Sequence, residues 1–153
     1  MDNEKAYNEN KYITSEWIFN HGGTSENVKL FKTYFPKGKA EPYKLLDTLI
    51  EKGQTEHIRK FLTFIPSRGD KFYIRENVNS KVYIYLDDLY SDKDLKIENS
   101  GILLVSGSLY VNGSLNLDNS TVIVGERTVV DSISVKNNSI FDGYILADDY
   151  LML

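Results

Sequence analysis

The sequence predicts an α+β protein in which a helical N-terminal region, built around a helical hairpin, caps a short C-terminal β-solenoid of about four coils. A short pattern ending in Asn-Ser returns three times in the second half of the chain, and residues 41–65 show helical periodicity. The 153 residues are 41% hydrophobic, which suits one domain with its own core. We place the cap region at residues 1–80 and the solenoid at residues 81–153, within one compact structural unit.

The first half carries the helical signals. The stretch SEWIFNHGG at 15–23 predicts a short helix that Gly22 ends, and a second helix is expected to begin at Ser25. Within it, residues 28–35, VKLFKTYF, place apolar side chains on one helical face. The same residues fit a strand equally well, so this segment stays ambiguous.

Residues 41–65 predict the helical hairpin. Pro42 suits a first helical turn, and Gly53 suits the position just past a helix end. Thr55 is expected to cap the second helix, which Pro66 ends. Because an open solenoid end exposes backbone and apolar interior, we expect these helices to cover its N-terminal end.

Three similar segments predict the solenoid: LKIENS at 95–100, LNLDNS at 115–120 and ISVKNNS at 133–139. Short apolar runs follow the first two, so the repeating unit is three strands and three turns that close after about twenty residues. The coils are placed at about 81–99, 100–119, 120–138 and 139–153. Taken alone, the Asn-Gly at 112–113 would favour a hairpin in an antiparallel sandwich, but a sandwich gives no reason for the period.

The repeat also predicts inward-facing residues and corners. The expected inward column is Leu95, Ile97, Leu115, Leu117, Ile133 and Val135. Asn99, Asn119 and either Asn137 or Asn138 fall at a shared corner, where Asn tolerates a left-handed backbone and can bond to the Asn of the next coil. Other corners are assigned to Gly107, Gly113, Gly125 and Gly143. The segment DDLYSDKD at 87–94 breaks the pattern of coil one and predicts a loop that bulges outward.

With these repeats, the second half resembles the short right-handed single-stranded β-helix class, including bactofilin-like polymer-forming domains and pectate-lyase-like repeats. The resemblance covers about half of the chain. It implies a parallel β-helix and, from the bactofilin-like members, a capacity for self-assembly. The chain differs from bactofilin-like domains in its helical first half and in its small number of coils.

Charge and motif content argue against several function classes. Residues 81–153 carry 5 Lys and Arg against 11 Asp and Glu, a net charge of −6, which disfavours nucleic-acid binding. The sequence shows neither a long apolar run nor a signal peptide, so we expect no membrane contact and a cytoplasmic location. His21 and His57 lie in no metal-binding spacing, and no nucleophile or phosphate-loop motif occurs, so we expect no enzyme activity, metal or cofactor.

An acidic, tyrosine-bearing surface remains as the candidate site. Tyrosine suits a surface that is both apolar and wet, and neighbouring acids suit a basic protein partner. The candidate partner-binding residues are Asp87, Asp88, Tyr90, Asp92, Asp94, Tyr110, Tyr144, Asp148, Asp149 and Tyr150.

The leading hypothesis is a non-catalytic, immunity-type inhibitor that neutralises a basic nuclease toxin, with carboxylates taking the place of substrate phosphates. In its small size, acidity and lack of cysteine, the chain is similar in style to bacterial toxin-immunity proteins. A second hypothesis is a self-associating β-helical scaffold, with a homodimer formed through the last coil, where the chain is still apolar in YILADDYLML. A third is a carbohydrate-active β-helix that uses clustered acids.

Overall fold

The computed structural model describes residues 12–152, and the side chains of residues 12–148. The chain forms two compact units, Met1–Ile58 and Arg59–Leu153. Within residues 12–152, no helix is both long enough and apolar enough to cross a membrane.

The helices lie in the first unit and at the start of the second. They are α1 at Ser15–Asn20, α2 at Ser25–Tyr34, α3 at Pro42–Glu51 and α4 at Ile58–Phe64, with a 3-10 turn at Thr55–His57. Two short strands, β1 at Ile13–Thr14 and β2 at Lys39–Ala40, pair in antiparallel fashion.

Local signals explain where these helices begin and end. Thr24 and Asn27 form a capping box at the start of α2, which confirms the predicted start at Ser25 and makes the ambiguous segment a helix. Pro42 lies in the first turn of α3, and Gly53 follows its end with a φ of 70°. The predicted cap at Thr55 is instead the first residue of the 3-10 turn that leads into α4.

Ten strands build the second unit. They are β3 at Lys71–Tyr73, β4 at Val78–Asn79, β5 at Val82–Tyr85, β6 at Asp88–Ser91, β7 at Leu95–Glu98, β8 at Ile102–Val105, β9 at Leu109–Val111, β10 at Ser114–Asp118, β11 at Thr121–Lys136 and β12 at Ile140–Met152. All pairings among them are parallel and join one coil to the next, so the predicted β-solenoid of about four coils is confirmed. The first strand to pair, β3, lies ahead of residue 81, so the first coil begins earlier than predicted.

The strands stack into three parallel sheets around one interior. Sheet A contains β5, β8 and the first segments of β11 and β12. Sheet B contains β3, β6, β9 and the middle segments of β11 and β12. Sheet C contains β4, β7, β10 and the last segments of β11 and β12. The Asn-Gly at 112–113 is therefore a corner between β9 and β10, which pair with neighbouring coils and not with each other.

The interior is filled by alternate residues of the three sheets. In sheet C, Leu95, Leu115 and Ile133 pair in one row and are at most 1% exposed, as the repeat predicts. Ile97 and Leu117 are fully buried, and Val135 packs partly buried against the same core. Hydrophobic burial of these rows is the main stabilising contribution of the solenoid.

Asparagine forms the shared corner after sheet C. Asn99, Asn119, Asn137 and Asn138 all have a φ between 51° and 63°, the left-handed region that the corner requires. The side-chain amide of Asn99 donates to Asn79 at 3.0 Å, one step of the predicted ladder. At the next coils the partner changes, because the amide of Asn137 donates to Asp118 at 2.7 Å.

The number of residues per coil is largest in the middle of the solenoid. In sheet B the first step, from Tyr73 to Tyr90, is seventeen residues, and the next, from Tyr90 to Tyr110, is twenty. In sheet C, Leu115 pairs with Ile133 eighteen residues later, and Ile133 with Tyr150 seventeen residues later. The first coils are built from separate strands and tight corners, whereas β11 and β12 are assigned as single long strands around the turns.

One prediction about coil one is wrong. Residues 87–94 do not bulge out as a loop, because Asp88–Ser91 form β6, which pairs with β3 and β9. The pattern is hidden there because polar residues occupy the outward positions while Leu89 fills the interior.

Helix α4 lies against the side of the later coils. A Cβ atom added to Gly125 would approach the backbone of Leu62 within 3.2 Å, so glycine allows this close contact. The guanidinium of Arg59 lies 4.8 Å from the ring centroid of Tyr144, and its Nε lies 3.7 Å from the carboxylate of Asp142. These contacts hold α4 against the last two coils of the same unit.

Candidate interaction surface

A column of stacked tyrosines runs across the outer face of sheet B. Tyr73 pairs with Tyr90, and Tyr90 with Tyr110, in three successive coils. Their ring centroids are 5.6 Å and 4.8 Å apart, with interplanar angles of 29° and 15°. We call these three residues the tyrosine column.

The stacking decides which part of the column a partner can reach. Tyr90 lies between the other two rings, so the surface that it offers a partner consists mainly of its ring edge and its hydroxyl group. Tyr73 remains 55% exposed despite its stacked neighbour. A ligand on this face would therefore meet hydrogen-bonding groups on an apolar support.

The same face stays apolar through the last two coils. Val129 and then Leu146 continue the column in register, and Leu146 is 56% exposed. Tyr144, two positions earlier on β12, is 70% exposed, the largest value among the exposed large apolar residues. Exposed apolar groups that share one face are typical of an interaction surface.

Arg127 is the basic group beside the tyrosine column. A hydrogen bond with the hydroxyl of Tyr110, together with the negative charges of Glu126 and Asp88, raises the pKa of its guanidinium. Arg127 is therefore engaged by its neighbours, and its charge is partly offset by them.

Three carboxylates line the edge of this face, and we call Asp92, Asp131 and Asp148 the acid row. The flanking pairs of β11 and β12 place Asp131 opposite Asp148, and the corner at Asn112 and Gly113 lies between Asp131 and Asp92. With about 4.8 Å between coils, the carboxylates follow the solenoid axis. All three are exposed, and none has a side-chain hydrogen bond or ion pair with another described residue.

Asp87 has a different environment, since it is only 2% exposed. Its carboxylate accepts hydrogen bonds from the hydroxyl of Ser67 at 3.0 Å and from the backbone N–H groups of Arg68, Asp70 and Asp88 at 2.9, 2.9 and 3.1 Å. These bonds tie the 67–70 loop to the start of sheet B. Asp87 therefore holds the fold and presents no free carboxylate to a partner.

Asp88 and Asp94 connect consecutive coils. Each accepts a hydrogen bond from a backbone N–H one coil later, Asp88 from Ser108 at 2.7 Å and Asp94 from Ser114 at 2.8 Å. A glycine precedes each serine, and a Cβ atom at either Gly107 or Gly113 would lie 2.3 Å from the carboxylate oxygen. The Asp…Gly-Ser combination is thus one structural unit, and we call Asp87, Asp88 and Asp94 the corner acids.

The structure brings half of the predicted partner-binding residues onto one face. Those five are Tyr90, Asp92, Tyr110, Tyr144 and Asp148. The corner acids are instead bonded to backbone and loop groups. The side chains of Asp149 and Tyr150 lie outside the described residues.

Sequence reasoning missed Tyr73, Asp131 and Leu146, which also belong to this face. Tyr73 was left out because the solenoid was assumed to begin at residue 81. Asp131 was missed because β11 continues through its coil without a recognisable turn. The spacing of Tyr73, Tyr90 and Tyr110, seventeen and twenty residues apart, is the signal that could have placed Tyr73 on this face.

Metal-binding side chains do not form a cluster in the described part of the chain. Among residues 12–148, no group of three or more His, Asp or Glu side chains is arranged to hold a metal ion. His21 stacks on Trp17 with ring centroids 3.9 Å apart, and the Nδ1 of His21 lies 2.8 Å from the backbone carbonyl oxygen of Trp17. His57 lies 3.5 Å from the carboxylate of the adjacent Glu56.

Comparison with known proteins identifies no relative of this chain. No protein family, no curated protein and no solved structure matches this chain. The resemblance to bactofilin-like and pectate-lyase-like repeats therefore rests on the β-solenoid itself, and that fold is what the chain shares with the β-helix class.

Proposed function

We propose that this protein is a non-catalytic binding protein that inhibits a basic partner, most economically as an immunity-type inhibitor of a cationic nuclease toxin. The observation that carries the proposal is the acid row beside the tyrosine column on the outer face of sheet B.

Unpaired carboxylates explain why a cationic partner would bind here. Asp131 and Asp148 lie opposite each other across one coil step, and like charges at about 5 Å repel one another. A Lys or Arg side chain placed between them would relieve that repulsion. The net charge of −6 over residues 81–153 would also speed the encounter with a basic protein.

The tyrosine column supplies the apolar and hydrogen-bonding part of the contact. Its ring edges and hydroxyls can pack against the partner and bond to it at little cost in side-chain entropy, because stacking already orders the rings. Carboxylates in the active-site groove of a nuclease would occupy the positions of substrate phosphates and block the groove.

A paired capture experiment tests this proposal. The wild type and the triple variant Asp92→Asn, Asp131→Asn and Asp148→Asn are used as bait at low salt, and captured proteins are identified by mass spectrometry. We expect the wild type to hold one basic protein at a near 1:1 ratio, to release it at high salt and to inhibit its nuclease activity in solution. The triple variant should capture it weakly, with a flatter salt dependence.

A matched control separates the acid row from net charge. The variant Glu16→Gln, Asp47→Asn and Glu51→Gln removes three exposed charges from the first unit and should bind like the wild type. Equal capture by all three baits, or a captured partner without nuclease activity, would contradict the proposal.

The last coil favours self-association as a second candidate function. Strand β12 pairs only with β11 among the described residues, and Ile140, Tyr144 and Leu146 are each more than half exposed. A scaffold that joins copies through this edge would sediment as dimers or larger species. The variant Ile140→Ser and Leu146→Ser should then be monomeric, and a monomeric wild type would exclude this function.

A further inference from the structure

A cleft of about 380 Å³ opens at the corner between sheets B and C in the first coils. It lies between the 75–77 loop and the 91–96 corner. Strand β4 is short beside the cleft, with two residues where β7 has four. Ahead of it, the side-chain oxygen of Asn77 accepts a hydrogen bond from the backbone N–H of Lys96 in β7 at 3.1 Å.

Three basic side chains line this cleft. They are Arg75, Lys93 and Lys96, and the two lysines are among only 5 Lys and Arg in residues 81–153. Lys96 lies 3.6 Å from Glu98. Neither Arg75 nor Lys93 has a carboxylate within 4.0 Å among the described residues.

The two acids that line the cleft are already bonded to the protein. The carboxylate of Glu76 accepts a hydrogen bond from the hydroxyl of Tyr83 at 2.5 Å. The carboxylate of Asp94 accepts the backbone N–H of Ser114 at 2.8 Å. Their charges lower the local potential, but one oxygen of each carboxylate is already occupied by a donor of the protein.

The amide side chains add further donors. A backbone N–H can only donate, so the Asn77 atom that faces Lys96 is its oxygen, and the amide NH₂ remains available. The oxygen of Asn116 likewise accepts the hydroxyl of Ser134 at 3.0 Å. The hydroxyl of Ser91 donates to the carbonyl of Lys93 at 2.7 Å, which orders the corner that carries this lysine.

We propose that this cleft binds a phosphate group, either free or as the ester of a small molecule. Two unpaired cations, a third cation and two amide NH₂ groups converge on a volume that suits a small ligand. Arginine and lysine with neighbouring neutral donors are the groups that proteins use for phosphate oxygens. The site is separate from the acid row in chemistry, and the inference does not depend on the proposed function.

Chemical-shift titration of ¹⁵N-labelled protein with inorganic phosphate, at constant ionic strength, tests the site. We expect saturable shifts at the backbone amides of residues 75–77 and 93–96. The double variant Arg75→Gln and Lys93→Gln should weaken binding about tenfold, because both unpaired cations are lost. The two side chains are exposed, and the same spectra report directly whether the variant is folded.

A matched double variant serves as the control. Lys81→Gln and Lys136→Gln also remove two positive charges from the second unit but lie outside the cleft, so binding should persist. Glycerol 3-phosphate in place of phosphate distinguishes the two sources, since tighter binding assigns the ester and equal binding assigns the free ion. Shifts that do not saturate, or equal losses in both double variants, would overturn the proposal.

Discussion

Asp87 and Asp92 flank the same short strand, β6, but their carboxylates have very different environments. Asp87 is buried and accepts four hydrogen bonds from the 67–70 loop and the following backbone. Asp92 is exposed and has no side-chain partner among the described residues. The corner acids stabilise the solenoid, whereas the acid row leaves its charge available, so acidity alone does not identify a binding residue.

The largest expected effect comes from removing a corner acid. Asp87→Ala leaves three backbone N–H groups and the hydroxyl of Ser67 without their acceptor, and should lower the free energy of unfolding by about 3 kcal/mol. Urea denaturation followed by circular dichroism measures this change. Asp92→Ala is the matched comparison, and it should stay within about 0.5 kcal/mol of the wild type. Equal losses in the two variants would remove the distinction between the corner acids and the acid row.

Adding a methyl group at a corner glycine should disrupt the contact between the corner acids and the following coil. In Gly107→Ala the new Cβ would lie 2.3 Å from the Asp88 carboxylate and 2.8 Å from the backbone of Asp87. Because backbone atoms cannot simply rotate away, we expect a loss of about 2 kcal/mol in unfolding free energy. Asn112→Ala changes an exposed residue at the next corner and should be close to neutral. A stable Gly107→Ala protein would show that this close approach is not required.

A buried hydroxyl without a partner tests the importance of hydrogen bonding in the interior. Thr128 occupies an inward position of sheet B and is 0% exposed, and its Oγ1 has no hydrogen-bond partner within the described part of the chain. Thr128→Val removes that polar group at nearly constant volume and should raise the unfolding free energy by about 1 kcal/mol. The partly exposed Thr121, changed to Val, is the control, with little expected change. A loss of stability in Thr128→Val would mean that the hydroxyl has a partner in solution.

The smallest expected effect concerns the phenol group of Tyr83, which is hydrogen-bonded to a carboxylate. The hydrogen bond with Glu76, followed by burial, raises the pKa of Tyr83 above its usual 10.0. The neutral phenol is thus favoured in the folded state, so the stabilisation is complete below pH 10.0 and is lost as the pH rises through the raised pKa.

Tyr83→Phe should therefore be less stable than the wild type near neutral pH, and the difference should narrow in alkaline solution. Urea denaturation at a series of alkaline pH values measures both curves. Tyr85→Phe serves as a comparison, because burial, more than Glu76, raises the pKa of Tyr85. Parallel curves for wild type and Tyr83→Phe would contradict the assignment.

Much of the solenoid could be predicted because its corners depend on the local backbone preferences of individual residues. Asn99, Asn119 and Asn137 recur where the chain needs a left-handed residue, and the apolar rows between them follow a period of two. The roles of the acids could not be assigned so easily. Whether an aspartate is free depends on which N–H group lies one coil later, and this depends on register across about twenty residues.

A signal for the corner acids was nevertheless present. Asp88 is followed nineteen residues later by Gly107-Ser108, and Asp94 by Gly113-Ser114 at the same distance. Glycine provides the space and serine the N–H, so this spacing distinguishes the bonded acids from Asp92, which is followed at that distance by Val111. Predicting the tyrosine column required the alignment of each coil with the next, and a first coil that begins before residue 81.

The number of residues per coil bears on how copies of this protein could join. Open-ended fibres of stacked solenoids require the last turn of one molecule to match the perimeter of the first turn of the next. In sheet B the step is seventeen residues from Tyr73 to Tyr90, twenty from Tyr90 to Tyr110 and seventeen again from Val129 to Leu146. The first and last steps are therefore equal, and the longer coils lie between them. Two copies that join end to end would bring turns of similar perimeter together, in a closed pair or in a filament.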